Sequence, residues 1–278
     1  MLVEGSSKWG GGRRLVVLGG RPGSIVVGFV GEELWRFWWQ LQWIASHSLY
    51  SWKDEIEHCE NKLNFFNGLF WQEYDLSVMF LKNGFLVSLI NRTLKLDTLT
   101  RSDLWNEVDI LIFNSYHWWL HTGRLRTWDN YQIGNKTLTL KDMDVMEAYK
   151  TALTTWANWV DSNVDPTKTR VFFQGISTVH YNGTEWNEAS TQNCSGQTKP
   201  VEGSNYPGNR PQGDAVVKNV LSNMKKPAIL LDIVLLTQLR KDGHPSTYAG
   251  GPLDCSHWCL AGVPDTWNQL FYTILLQN

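Results

Sequence analysis

The chain has 278 residues, room for one large domain or two modest ones around a buried core, which excludes a peptide hormone or a small disulfide knot. Apolar residues make up 42% and charged residues 19%, so long charged disordered tails are excluded as well. With 25 Lys and Arg against 27 Asp and Glu, the formal net charge of -2 offers no general attraction for nucleic acid or an anionic membrane, and no nucleic-acid partner is expected.

Leu15-Val-Val-Leu-Gly and Ile25-Val-Val-Gly-Phe-Val-Gly31 are β-branched runs that end in Gly, the pattern of buried strands entering tight turns. Glu32 and Glu33 complement the positive end of a helix dipole and predict a helix from there to about Ala45. Residues 77–87 read as a strand pair or one long strand, 108–113 as a central strand, and 141–160 carry helical periodicity. A strand at 170–174, a helix at 214–224 and a strand at 228–232 continue the alternation. Such alternation predicts one continuous α/β domain with a mostly parallel sheet and helices on both faces. Residues 192–213, rich in Gly, Pro, Asn and Ser, read as a long surface loop near the ligand. From 240 to 264 the chain is loop-like, and 265–276 is a closing helix.

No run of 18 uncharged apolar residues occurs, so no membrane span is expected, and the apolar run after Arg13-Arg14 is too short for a secretory leader. Other features point to an oxidising compartment. Asn-x-Ser/Thr sequons stand at Asn91, Asn135, Asn182 and Asn193 as candidate N-glycosylation sites. The four cysteines, Cys59, Cys194, Cys255 and Cys259, contain no Cys-x-x-Cys pair; they form two disulfides in any of three connectivities, or stay as thiols. The 16 Trp outnumber the Phe and the Tyr, and their indoles serve either core packing or sugar stacking.

The densest polar cluster is Asp254-Cys-Ser-His257-Trp-Cys259, with a carboxylate and an imidazole three residues apart. That spacing suits a base and its orienter; the alternatives are a zinc site using His257 and the nearby cysteines, or plain loop hydrogen bonding. A second group, Asn114-Ser-Tyr-His117-Trp118-Trp119, follows the 108–113 strand. There Asn114 either donates to an oxyanion or caps a turn, and His117 with the indoles either lines a pocket or joins the core.

The segment Asp254-Cys-Ser-His257-Trp-Cys-Leu-Ala-Gly-Val-Pro-Asp265-Thr-Trp-Asn268 resembles the C-terminal signature of the plant trichome birefringence-like proteins. The resemblance extends in order through Glu73-Tyr-Asp-Leu-Ser-Val-Met-Phe, Ile112-Phe-Asn-Ser-Tyr-His-Trp-Trp, Val171-Phe-Phe-Gln-Gly-Ile-Ser and Leu239-Arg-Lys-Asp-Gly-His-Pro-Ser246, covering about 73–278. It implies a three-layer α/β/α sandwich of the SGNH-hydrolase type, divided here into a divergent segment 1–24 and a domain 25–278. The implied activity is O-acetyl transfer to xylan, mannan or pectin through an acyl-enzyme with Ser-His-Asp logic. No bound cofactor is implied; an acetyl donor such as acetyl-CoA and a polysaccharide acceptor are.

By that carry-over His257 is the catalytic proton shuttle and Asp254 its orienter. The implied oxyanion or pocket set is Gly31, Arg36, Asn114, His117, Trp118 and Trp119. The family's usual setting is the Golgi, with an N-terminal membrane anchor. Phe29-Val-Gly31-Glu-Glu33-Leu-Trp-Arg36 falls where the family has Phe-Val-Gly-Asp-Ser-Leu-Ser-Arg, so Glu33 occupies the nucleophile position. The alternative reading is therefore a catalytically inactive, glycan-binding relative.

Overall fold

A computed structural model describes residues 25–31, 66–71, 76–106, 108–247, 251–259 and 262–277. In chain order its strands are β1 (Ile25–Gly31), β2 (Phe66–Trp71), β3 (Leu76–Lys82), β4 (Val87–Ile90), β5 (Thr93–Leu99) and β6 (Ile110–Phe113). They continue as β7 (Asn130–Ile133), β8 (Lys136–Thr139), β9 (Arg170–Gln174), β10 (Ile229–Leu231), β11 (Ser246–Thr247) and β12 (Leu253–Asp254). The α-helices are α1 (Val145–Asn163), α2 (Gln212–Ser222), α3 (Val234–Gln238) and α4 (Val263–Gln277).

The fold is α/β around a mixed six-stranded sheet of order β10-β9-β6-β1-β3-β2. Strands β10, β9, β6, β1 and β3 pair in parallel, and β2 closes the edge antiparallel to β3. The expected strands at 25–31, 108–113, 170–174 and 228–232 all belong to this sheet. The expected strand beginning at 15 and the helix from 32 to about 45 lie outside the described residues, as does the segment 1–24.

A second sheet of order β4-β5-β7-β8 is absent from the expectations. Its two hairpins turn in two residues each. Asn91 and Arg92 take φ of 49° and 57°, the left-handed pair a tight hairpin requires. Arg92 is an unusual residue there, and its guanidinium is fixed by a two-bond contact to Asp129 at 2.6 and 2.8 Å. Gly134 and Asn135 make the other turn, with Gly134 at φ 56°. Three sequons sit on exposed turns, at Asn91, Asn135 and Asn182, while Asn193 is half-buried beside Cys194. The stretch expected as strand from 77 to 87 splits into β3, a turn held by Leu86 N–H donating to Asn83 Oδ1 at 2.9 Å, and the start of β4.

Helix α1 begins where Asp144 caps it, its carboxylate accepting from Met146 N at 2.7 Å. Ala148, Tyr149, Ala152, Leu153, Trp156, Ala157 and Val160 bury one stripe at helical spacing, and the helix stops ahead of Asp165-Pro166. Trp156 lies edge-on between Phe113 and Phe173, with ring centroids 5.2 Å from each. The next residue back along β9, Phe172, meets Phe271 of α4 at 5.1 Å. Among the described residues no helix is long and apolar enough to cross a membrane.

Trp156 is fully buried and joins α1 to both β6 and β9, so Trp156→Ala opens a cavity at that junction. A loss of about 3–5 kcal/mol is expected in denaturant unfolding, and a loss below about 1 kcal/mol would show that the junction repacks without it.

Candidate active site

In an α/β sheet the carboxyl ends of the parallel strands are where ligands gather. Strand β1 ends there at Gly31, between β3 and β6, since Gly31 pairs with Lys82 and Val30 with Phe113. The turn that follows, with Glu33 and Arg36, lies outside the described residues. One residue past β6 stands Asn114, 2% exposed, and its side-chain Oδ1 has no hydrogen-bond partner among the described residues. At the end of β9, Gln174 is 1% exposed and its Nε2 is likewise unpartnered. Phe113 pairs with Phe173 in register and both face Trp156. Alternation therefore turns Asn114 and Gln174 to the other face, side by side. Two buried amides thus stand side by side at adjacent strand ends, next to where β1 also ends. Gln174 is no candidate on sequence grounds; the only local signal for it is the strand-then-polar pattern it shares with Asn114.

His117 opens the short turn after β6, and its Nε2 lies 3.2 Å from Ser177 Oγ in the loop after β9. Trp118 is half-buried, edge-on to Phe85 at 5.7 Å, stacked near His121 at 6.0 Å, with Lys82 Nζ 5.5 Å from its ring. It rests against bare backbone, because a Cβ on Gly84 would stand 2.6 Å from the indole. The expectation that Trp119 lines the pocket is corrected: it is 1% exposed, packs on Phe85, Trp128 and Tyr149, and donates from Nε1 to Ser115 Oγ at 3.1 Å. A buried indole already bonded to its neighbour belongs to the core.

The loop 251–259 presents the second half of the site. Strand β12 pairs antiparallel with β11, Ser246 opposite Asp254. The Asp254 carboxylate then folds the chain back on itself. Its Oδ1 accepts from Ser256 N at 2.9 Å, Ser256 Oγ at 2.9 Å and His257 N at 3.0 Å. Its Oδ2 lies 2.6 Å from His257 Nδ1. The three-residue spacing thus works as a turn in which a carboxylate both makes the bend and fixes the imidazole that the bend returns to it. With Nδ1 committed to the carboxylate, Nε2 is the nitrogen through which this ring exchanges protons. The pair is partly open to solvent, at 31% for the His257 side chain and 18% for Asp254.

Four ties hold this loop. Cys194 and Cys255 form a disulfide across 61 residues, which removes Cys255 from the zinc reading. His180 N–H donates to Cys255 O at 3.1 Å, while Cys194 N–H donates to His180 O at 2.9 Å. His244 Nδ1 lies 2.7 Å from His257 O, and Cys259 N–H donates to Gly243 O at 2.9 Å. Cys259 is half-buried, and Cys59 lies outside the described residues. Beneath the loop, Trp258 packs with Ile233, Val263 and Trp267. Burial pushes His180 down to about 4, against a smaller upward pull from its bond to Gln238 O and from Asp242.

Comparison with known proteins places residues 26–274 in the GDSL/SGNH-like acyl-esterase family found in Pmr5 and Cas1p. Protein trichome birefringence-like 42 of Arabidopsis thaliana is 55% identical over 214 residues, 74% of this chain and 59% of its own length. Protein trichome birefringence-like 39 of the same plant is 41% identical over 256 residues, 90% of this chain and 68% of its own length. The protein named trichome birefringence, of the same plant, is 36% identical over 277 residues, 89% of this chain and 44% of its own length. The chain thus spans under two thirds of the length of most of these relatives.

Two measurements test the ties. Replacing Cys194 and Cys255 together by Ser frees a 61-residue loop in the unfolded chain and is expected to cost about 4 kcal/mol in denaturant unfolding. An unchanged midpoint would show that the loop is held without the bridge. His180 is neutral in the fold down to about pH 4, whereas the unfolded ring takes its proton near 6.5, so folding stability falls as pH drops through that interval. The loss is on the order of 3 kcal/mol. It disappears in His180→Gln, and a parent with no such acid-side slope would contradict a neutral His180.

Proposed function

Because the chain belongs to the trichome birefringence-like family, whose domain is a GDSL/SGNH-like acyl-esterase, we propose that it carries the scaffold of an O-acetyltransferase acting on hydroxyls of a plant cell-wall polysaccharide such as xylan, mannan or pectin, with Glu33 where the nucleophilic serine would stand. The observation that carries the reading is the 2.6 Å contact between Asp254 Oδ2 and His257 Nδ1. In this reading His257 Nε2 takes the proton of an attacking hydroxyl and returns it to the leaving group, while Asp254 holds the ring's tautomer and balances the imidazolium. The Asn114 amide, at the carboxyl end of β6, donates to the oxyanion that develops on the acetyl carbonyl. The acetyl donor is a thioester of the acetyl-CoA kind, the acceptor a sugar hydroxyl.

The finer architecture is read as a three-layer α/β/α sandwich with a mostly parallel sheet. Supporting it, adjacent residues of β9 reach helices on opposite faces, Phe173 toward α1 and Phe172 toward α4. The Cys194–Cys255 bridge suits an oxidising lumen, and the proposed location is the Golgi.

Glu33, at the position where the family carries its nucleophilic serine, favours a second reading, an inactive relative that binds glycan without turning it over. A carboxylate there cannot form the ordinary ester intermediate, and the mixed anhydride it would form is far more labile.

Acetyl transfer to a panel of xylan, mannan and pectin oligomers, followed by mass spectrometry, separates the readings. The expected result is transfer by Glu33→Ser, little or none by the parent, and loss again when His257→Ala is added to Glu33→Ser. Transfer by the parent at the rate of Glu33→Ser would overturn the assignment of Glu33. Glycan binding by parent and Glu33→Ser alike, with transfer by neither, would favour the binding reading.

A further inference from the structure

His180 and His244, 0% and 6% exposed, meet with Nδ1 of the first 2.7 Å from Nε2 of the second. Each outer nitrogen faces a main-chain carbonyl: His180 Nε2 lies 3.0 Å from Gln238 O, and His244 Nδ1 lies 2.7 Å from His257 O. A carbonyl only accepts, so both outer nitrogens carry hydrogen. The inner contact needs a hydrogen of its own, since two bare nitrogens at 2.7 Å would set one lone pair against another. Two neutral imidazoles hold one hydrogen each, and these three contacts require one more, so the pair carries a single positive charge.

We infer that His180 and His244 are a proton-sharing pair of positioning residues: His244, as the imidazolium, donates from Nε2 to neutral His180 and from Nδ1 to the carbonyl of His257, fixing the main chain of the residue whose ring Asp254 holds. The inference rests on the proposed function only in treating His257 as the proton shuttle.

The charge resides on His244 for physical reasons. Burial disfavours a second proton on His180, which leaves its Nδ1 as the acceptor. His244 lies against the Trp258 indole, with ring centroids 4.0 Å apart and planes 32° from parallel, an arrangement that favours a cation. A bond from a charged donor is also shorter and stronger than one between neutral groups, in keeping with 2.7 Å. Of the charges around His180, Asp242 favours a proton there and Lys241 opposes it, so neither sign prevails and burial leaves His180 neutral. Asp242 is itself paired with Arg240, and Lys241 with Glu188. On the other side of His180 stand Tyr206 and the Glu185 carboxyl bonded to it, and Trp186 contributes only its ring. The catalytic loop adds Asp254 and His257, paired with one another.

The test is imidazole ¹⁵N NMR on the whole chain labelled at histidine, with His180→Gln and His244→Asn for assignment. Gln keeps the donor to Gln238 O, and Asn keeps the donor to His257 O. Near neutral pH the expected spectrum has both ring nitrogens of His244 protonated and coupled across to a bare Nδ1 on His180. As pH rises and His244 loses its proton, the signal of the His257 proton shared with Asp254 shifts in step. Two neutral rings at neutral pH, or a His257 signal indifferent to the titration of His244, would overturn the inference. If either variant fails to fold, the parent spectra decide alone. Absence of acetyl transfer beside these spectra would remove the acyl-transfer reading and leave the pair standing.

Discussion

Everything at this site depends on keeping one short, nearly structureless loop in one shape. Residues 251–259 contain only the two-residue strand β12, too little regular backbone bonding to hold a carboxylate and an imidazole 2.6 Å apart. The chain covers the deficit with a covalent bridge, Cys194–Cys255, and with main-chain bonds that converge from the loops after β9 and α3. The bridge alone would leave a hinge. The contacts on either side of it, from His180 to Cys255 and from Gly243 to Cys259, remove that freedom, and the second depends on Gly243, where a Cβ would sit 2.6 Å from Val263 and 3.0 Å from Trp258.

The long segment between β9 and α2 takes part in the same fastening. Gly183 donates to Gln192 O, Val201 to Leu239 O, and Gln238 Nε2 to Asn209 O. At its far end Arg210 spans Asp214 at 2.6 Å and Asp232 at 2.6 Å, and Lys218 reaches both carboxylates at 3.1 Å. These partly exposed ion pairs are individually weak, but shared between two carboxylates they set where α2 starts relative to the end of β10. A stretch whose Gly, Pro and Asn content reads as slack loop is thus stitched along its length by bonds that composition does not display.

How much of this was legible follows from the range of the forces involved. Runs such as Ile25–Gly31 and Arg170–Gln174 announce strands because they are short, β-branched or aromatic and nearly uncharged, and in the second Val171 to Gln174 are all buried. The Asp254–His257 pair was legible because carboxylate and imidazole lie within one turn. The second sheet was missed because its strands mix buried and exposed positions with charged and polar residues, as in Thr93–Leu99 and Lys136–Thr139, and its first turn, Asn91-Arg92, lacks the usual Gly. Trp118 and Trp119 are adjacent and identical in type, and only the packing of Phe85, Trp128 and Tyr149 around one of them separates a core indole from a half-open one. The disulfide partner and the His180–His244 contact span 61 and 64 residues, and no local pattern encodes a meeting at such distance.

The seat of Trp118 on Gly84 has a thermodynamic consequence of its own. An indole on a protein surface normally samples several rotamers, and a ligand that stacks on it must pay to select one. Here the missing side chain at Gly84 gives the ring a flat bed, Phe85 meets it edge-on, and the His121 ring and Lys82 Nζ lie toward its face, so its neighbours within the fold already set its orientation. That ordering entropy is charged to folding and not to association. A methyl at position 84 would fill that bed from below, 2.6 Å from the indole, and force the ring off its seat.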